Sequence, residues 1–128
     1  MNDLQFADDV LARIRARGGP YHERSFLFVL AAIEYLQSRL DARRHVNGAE
    51  LAWACRDFAR AQFGLLAPHV LAHWGVTRTQ DFGRIVFTLV EVGLLVTQPG
   101  DHEGDFEGVY DFAEGFGDVY EWSGVRGA

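Results

Sequence analysis

A mainly helical domain of about five helices and one β-hairpin, its carboxyl half arranged like a winged helix, is predicted by three features of the sequence. Apolar residues recur at helical spacing in five segments. The last of them, within DFGRIVFTLVEVGLL (81–95), is apolar around most of its circumference. There Ile85, Val86, Phe87, Leu89, Val90 and Val92 leave only Asp81, Arg84, Thr88 and Glu91 for water. Such a helix belongs in the middle of a fold. Behind it come a β-prone stretch (94–98), a Gly- and Asp-rich turn, and a second β-prone stretch (109–112). Residues 48–112 therefore follow the order of a winged helix-turn-helix.

Taken in order, the first helix spans 3–17, with Phe6, Val10 and Ile14 on one face, and stops at Gly18, Gly19 and Pro20. The second covers about 22–40. Phe26, Val29, Leu30, Ile33 and Leu36 make its apolar face, which Leu27, Phe28 and Tyr35 widen enough for contact on two sides. Asn47 starts the third, with Glu50 placed to reach back to the cap. Its buried stripe is Leu51, Ala54, Cys55, Phe58 and Ala61; Arg56, Asp57 and Arg60 face out, and Trp53 falls on the polar side. Gly64 ends it, Pro68 suits the first turn of a short fourth helix ending at Trp74 and Gly75, and Thr77 or Thr79 opens the fifth. Gly93 stands where a left-handed residue would close that helix.

The chain has 128 residues and is read as one domain, 1–114, with an acidic, aromatic, Gly-rich tail, 115–128. The single cysteine, Cys55, excludes an intramolecular disulfide and suits a reducing compartment. The first residues do not resemble a signal peptide, and the longest apolar run, 26–33, is too short to span a bilayer. A cytoplasmic protein with no membrane partner is expected. The net charge of −6 is a property of the tail: residues 1–98 hold 11 Arg against 10 acids, residues 99–128 eight acids against Arg126 alone. There is no lysine, which removes Schiff-base and phosphate-cradling lysine chemistry.

Candidate chemistry is sparse. His69 and His73 have the i, i+4 spacing that lets two imidazoles share a metal, but 70–72 supply no catalytic glutamate and spacing marks no third ligand. Asp101, Glu103 and Asp105 alternate like the start of a calcium loop, yet Phe106 and Phe112 stand where glycine and a bidentate acid are required. Cys55 lies on an apolar stripe, where a thiol is inert packing. No G-x-S-x-G, P-loop or dinucleotide fingerprint is present, and no cofactor is expected. The sequence thus reads as non-enzymatic.

Nucleic-acid binding is the alternative that the winged-helix order raises. Its contacts would be Arg43, Arg44, Arg78 and Arg84, combined across the two-fold axis of a homodimer. Two acids on the helix face and an acidic hairpin tip match phosphates poorly. Use of the same scaffold for protein contact fits the charges better. From 106 to 122, Phe106, Tyr110, Phe112, Phe116, Tyr120 and Trp122 alternate with acids, a pattern suited to docking on a basic, apolar groove. Equally, Tyr110 and Phe112 could close the core while the remainder is solvated.

The segments RHVNGAEL (44–51), QFG (62–64), HWGV (73–76), DFGRIVFTLVEVGLL (81–95) and DFEGVYDFAEGF (105–116) resemble an uncharacterised bacterial family, the Minf-type single-domain proteins of planctomycetes, verrucomicrobia and deltaproteobacteria. The resemblance covers most of the chain and is loosest after Phe116. It implies a bacterial cytoplasmic origin and transfers no catalytic or binding residue. The expected function is that of a protein-interaction or adaptor module with an unidentified protein partner. Its contacts are assigned to Trp53, Arg84, Thr88, Phe106, Phe116, Tyr120 and Trp122.

Overall fold

Each helix that the periodicity predicts forms. The computed structural model describes residues 3–121, with side chains from 9 to 117. Its helices are α1 (Asp3–Arg17), α2 (Glu23–Ser38), α3 (Gly48–Phe63), α4 (Ala67–His73), α5 (Thr79–Glu91) and α6 (Phe112–Glu121). Single 3₁₀ turns occupy Gly64–Leu66 and Glu103–Phe106. Among the described residues there is no strand, and no helix is long and apolar enough to cross a membrane.

The caps follow the sequence closely. Asn47 Oδ1 accepts from the Glu50 N–H at 2.8 Å, and the Glu50 carboxylate accepts from the Asn47 N–H at 3.0 Å. The Arg44 guanidinium, 2.7 Å away, together with that backbone bond holds the Glu50 carboxyl down at about 2. Gly93 (φ 87°) closes α5: its N–H bonds Val90 O, and the Leu94 N–H bonds Leu89 O at 2.9 Å. This pair of bonds makes a Schellman motif, which only a residue at ease with positive φ can turn.

The core joins one face of α1 (Val10, Ile14) to α2 (Phe26, Val29, Ala32), α3 (Leu51, Ala52, Cys55, Ala59) and α5 (Phe82, Ile85, Leu89). The stripe of α3 is rotated slightly from expectation, with Ala52 and Ala59 buried, Phe58 half-buried and Ala61 exposed. Aromatic rings fill one end: Phe28 lies 5.3 Å from Phe58, 6.3 Å from Phe63 and 5.8 Å from Trp74 between ring centres.

The expected hairpin does not form, and residues 48–112 carry no wing. Local side-chain acceptors take the backbone donors that a ladder would need. Asp101 accepts from the Gln98 N–H and Asp105 from the His102 N–H, which turns the chain into the 3₁₀ segment. The buried Thr79 hydroxyl then donates to Phe106 O at 2.6 Å and accepts from the Val109 N–H at 3.2 Å. Instead of pairing, the chain inserts Phe106. A Cβ at Gly83 would lie 2.9 Å from Phe106 Cδ1 and 3.0 Å from its Cβ and Cγ; one at Gly48 would lie 3.1 Å from Cε1. Phe106 thus sits in a socket whose floor is two glycines, one on α3 and one on α5.

The expected break at 114 falls inside α6. The Asp111 carboxylate accepts from the Ala113 N–H to start this helix, and Phe116 is 2 % exposed against the body. Gly115 and Gly117 depress its intrinsic propensity and hide it from a sequence pattern. Gly115 is needed because a Cβ there would meet Tyr110 Cδ1 at 2.7 Å.

Asp81, expected on the water-facing stripe, is buried at 5 % exposure. Its carboxylate accepts from the Thr77 and Arg78 N–H groups at 2.9 and 3.0 Å and from the Tyr21 hydroxyl at 2.5 Å. One acid therefore caps α5 and ties it to the α1–α2 link. Partial burial, then the bond to Asp81, pushes the Tyr21 phenol up to about 12.

This packing sets the expected effects of three substitutions. Helix propensity alone would make Gly83→Ala stabilising by about 1 kcal/mol; the socket reverses the sign, so urea denaturation should show a loss of about 1–3 kcal/mol. Phe106→Ala should cost about 3–5 kcal/mol, and Gly83→Ala in that background should regain its stabilising sign. Because the folded state favours the neutral Tyr21 phenol, its contribution is complete below pH 10 and is lost as the pH rises towards 12. Two pH units correspond to about 2.7 kcal/mol, reduced by the ring's exposure to about 1–2. Tyr21→Phe should lower stability at pH 8 by about 1–2 kcal/mol and remove that component of the alkaline loss.

Candidate functional site

Three surfaces gather the polar and aromatic residues that the core does not use. The first is built on α3. Trp53 is 40 % exposed, and its ring centre stands 4.5 Å from that of Tyr110, with the Arg56 guanidinium 4.7 Å over the indole. Tyr110 is itself fixed, because its hydroxyl donates to Ala52 O at 2.8 Å and its ring stacks on Phe112 at 5.9 Å. Burial pushes its phenol strongly upward, so it stays a neutral donor. Arg56 bonds Asp57 at 2.9 Å, which leaves its guanidinium plane held against the indole. The result is a half-exposed tryptophan whose orientation is set before any partner arrives.

Of the other residues assigned to partner contact, Phe106 and Phe116 are core, 4 % and 2 % exposed. The acid-aromatic pattern reflects intramolecular packing there. Thr88 spends its hydroxyl on Arg84 O at 2.9 Å. Arg84 is exposed beside the Tyr21 phenol, which raises the guanidinium's proton affinity. The Tyr120 side chain and Trp122 lie outside the described residues. Tyr110, read only as part of the acid-aromatic run, and Arg56, read only as outward-facing, are contributors left out of the assigned contacts. Trp53 and Arg56 are one helical turn apart, a spacing that could have paired them, whereas nothing local in the sequence places Tyr110 beside them.

The arginines of the nucleic-acid alternative do not converge on a free basic stripe. Arg43 makes a two-pronged bond to Glu34 at 3.1 and 3.2 Å, and Arg44 to Glu50 at 3.2 and 2.7 Å. Arg78 is exposed at the start of α5, whose next turn is buried under Phe106. Without a hairpin, no wing flanks that helix.

His69 and His73 are both exposed on α4, and among the described residues no group of three or more metal-ligating side chains assembles anywhere. Cys55 is fully enclosed, and desolvation drives its thiol far above the range of a reactive thiolate.

A second surface is the shallow recess around the Gly18–Gly19 turn, bordered by Arg17, Tyr21, Arg84, Glu91 and Glu103. Its charges oppose one another, with Arg17 3.5 Å from Glu91. The third is a cleft of about 160 Å³ between α2, the start of α3, α5 and the 94–106 segment. Ile33, Leu51, Val86, Phe87, Val90 and Phe106 make its apolar floor. Arg44, His45, Asp101, His102 and Asp105 border it, and His45 Nε2 lies 3.0 Å from Asp101 Oδ1. The chain matches no family model, no curated protein and no solved structure.

Proposed function

We propose that this chain is a protein-interaction module whose contact face is centred on Trp53. The observation that carries this reading is the Trp53, Tyr110 and Arg56 cluster: a large ring, partly exposed, held by a second ring at 4.5 Å and a guanidinium at 4.7 Å. Tryptophan, tyrosine and arginine dominate the binding energy of protein interfaces because they contribute large contact area with few rotatable bonds. Preorganisation adds to this, since the side-chain entropy of Trp53 is already reduced in the free molecule. Asp111, exposed beside Tyr110 in the chain, favours a partner with a basic group next to an apolar recess that receives the indole.

The test is affinity capture from nuclease-treated native lysate, comparing the full chain with Trp53→Ala. The substitution also removes the contact with Tyr110, so a lowered but still cooperative unfolding transition is expected and is measured first. Trp53→Ala should weaken retention of a stoichiometric protein by about 2 kcal/mol or more, roughly thirtyfold in Kd. Equal retention by both forms would move the contact away from α3. Retention of nucleic acid alone, from lysate left undigested, would favour the arginine-based alternative.

A further inference from the structure

The cleft between α2, α3, α5 and the 94–106 segment is independent of the Trp53 face and has the makings of a small-molecule site: an apolar floor with a few polar groups at the mouth. A volume near 160 Å³ accommodates a body about the size of benzene. The chemistry of the mouth decides what such a body must carry.

Among the described residues that line the cleft, Arg44 is the one arginine, and it is consumed: its guanidinium bonds both Glu50 oxygens and His45 O. An anionic ligand would have to break that pair. Two carboxylates remain. Asp101 accepts one bond on each oxygen, from His45 Nε2 and the Gln98 N–H, and the Gln98 bond, with the histidine, holds its carboxyl below the usual range. Asp105 accepts from the His102 N–H through Oδ2. A carboxylate offers about four acceptor positions, so both retain capacity for a donor. A bare divalent cation is a poor fit because the described residues do not gather three ligating side chains. An ammonium group brings three donors and one positive charge, which complements two partly used carboxylates above an apolar floor.

We infer that this cleft binds a compact organic cation, an aryl or branched alkyl primary amine, with its apolar body on Val86, Val90 and Phe106 and its ammonium at Asp101 and Asp105. The ammonium uses acceptor positions on Asp101 that its bonds to His45 and to the Gln98 N–H leave over.

The probes are benzylamine, benzyl alcohol and benzoate, titrated into the ¹⁵N-labelled full chain and followed by amide shifts. Benzylamine should move the amides of Val90, Leu95, Val96 and Asp101, about tenfold more tightly than benzyl alcohol, and benzoate should move none. Asp105→Asn should weaken benzylamine about tenfold and leave benzyl alcohol unchanged; Val90→Phe, which fills the floor, should abolish both. Amide spectra of each variant establish that it folds. Equal affinity for amine and alcohol would reduce the cleft to an apolar void and overturn the assignment. So would binding of benzoate, shifts confined to other surfaces, or the absence of any shift with the three probes.

Discussion

The contact on which the rest of this structure depends is the seat of Phe106 on Gly48 and Gly83. Burying a phenylalanine contributes about 1.5–3 kcal/mol by area alone, but here position matters more than area. The ring lies between the first turn of α3 and the first turns of α5, so it fixes the separation of two helices that are remote in sequence. Thr79, one turn before Gly83, grips the backbone just after the ring through Phe106 O and the Val109 N–H. The chain leaving that grip passes along α3, where the Tyr110 hydroxyl donates to Ala52 O. Tyr110 consequently lands against Trp53, and Phe112 and Phe116 close the core behind it. The same ring forms part of the cleft floor.

Buried polar contacts, rather than surface ion pairs, complete the arrangement. The pairs Arg15–Glu23, Arg17–Glu91 and Arg43–Glu34 are exposed on both partners or nearly so, and such pairs contribute about 0–1 kcal/mol each. Asp81 and Thr79 are enclosed, and each satisfies several partners at once. Removing either breaks several part-buried hydrogen bonds at once, each worth about 0.5–1.5 kcal/mol. The amino end of α5 is thus anchored to Tyr21 on one side and to the 106–109 segment on the other. This helix is a scaffold for its neighbours and does not project as a recognition helix would.

Helices were legible in the sequence because their signals are local. Apolar spacing located α1 to α5, and Asn47, Gly64, Pro68 and Gly93 marked ends that the backbone respects. The segment after Gly93 was misread because β-propensity in 94–98 and 109–112 is a statement about side chains that fit a half-buried surface, not about pairing. The acceptors that defeat pairing, Asp101, Asp105 and above all Thr79, act across a turn or across 27 and 30 residues. DFG (81–83) was conspicuous in the sequence, but its meaning is tertiary: Asp81 for Tyr21, Phe82 for the core, Gly83 for Phe106. Trp53 could be singled out as an aromatic on a polar face, whereas its bracing by Tyr110 required the path of the chain after Phe106. The cleft was invisible for the same reason, since its walls come from four separate stretches.

The claim that an inserted ring, and not a hairpin, organises the carboxyl half is tested most directly by nuclear Overhauser contacts in the full chain. The account predicts contacts from the Phe106 ring protons to the α-protons of both Gly48 and Gly83, with those glycine protons displaced by the ring current. Cross-strand α-proton contacts between 94–98 and 109–112, with no contact from Phe106 to either glycine, would contradict it.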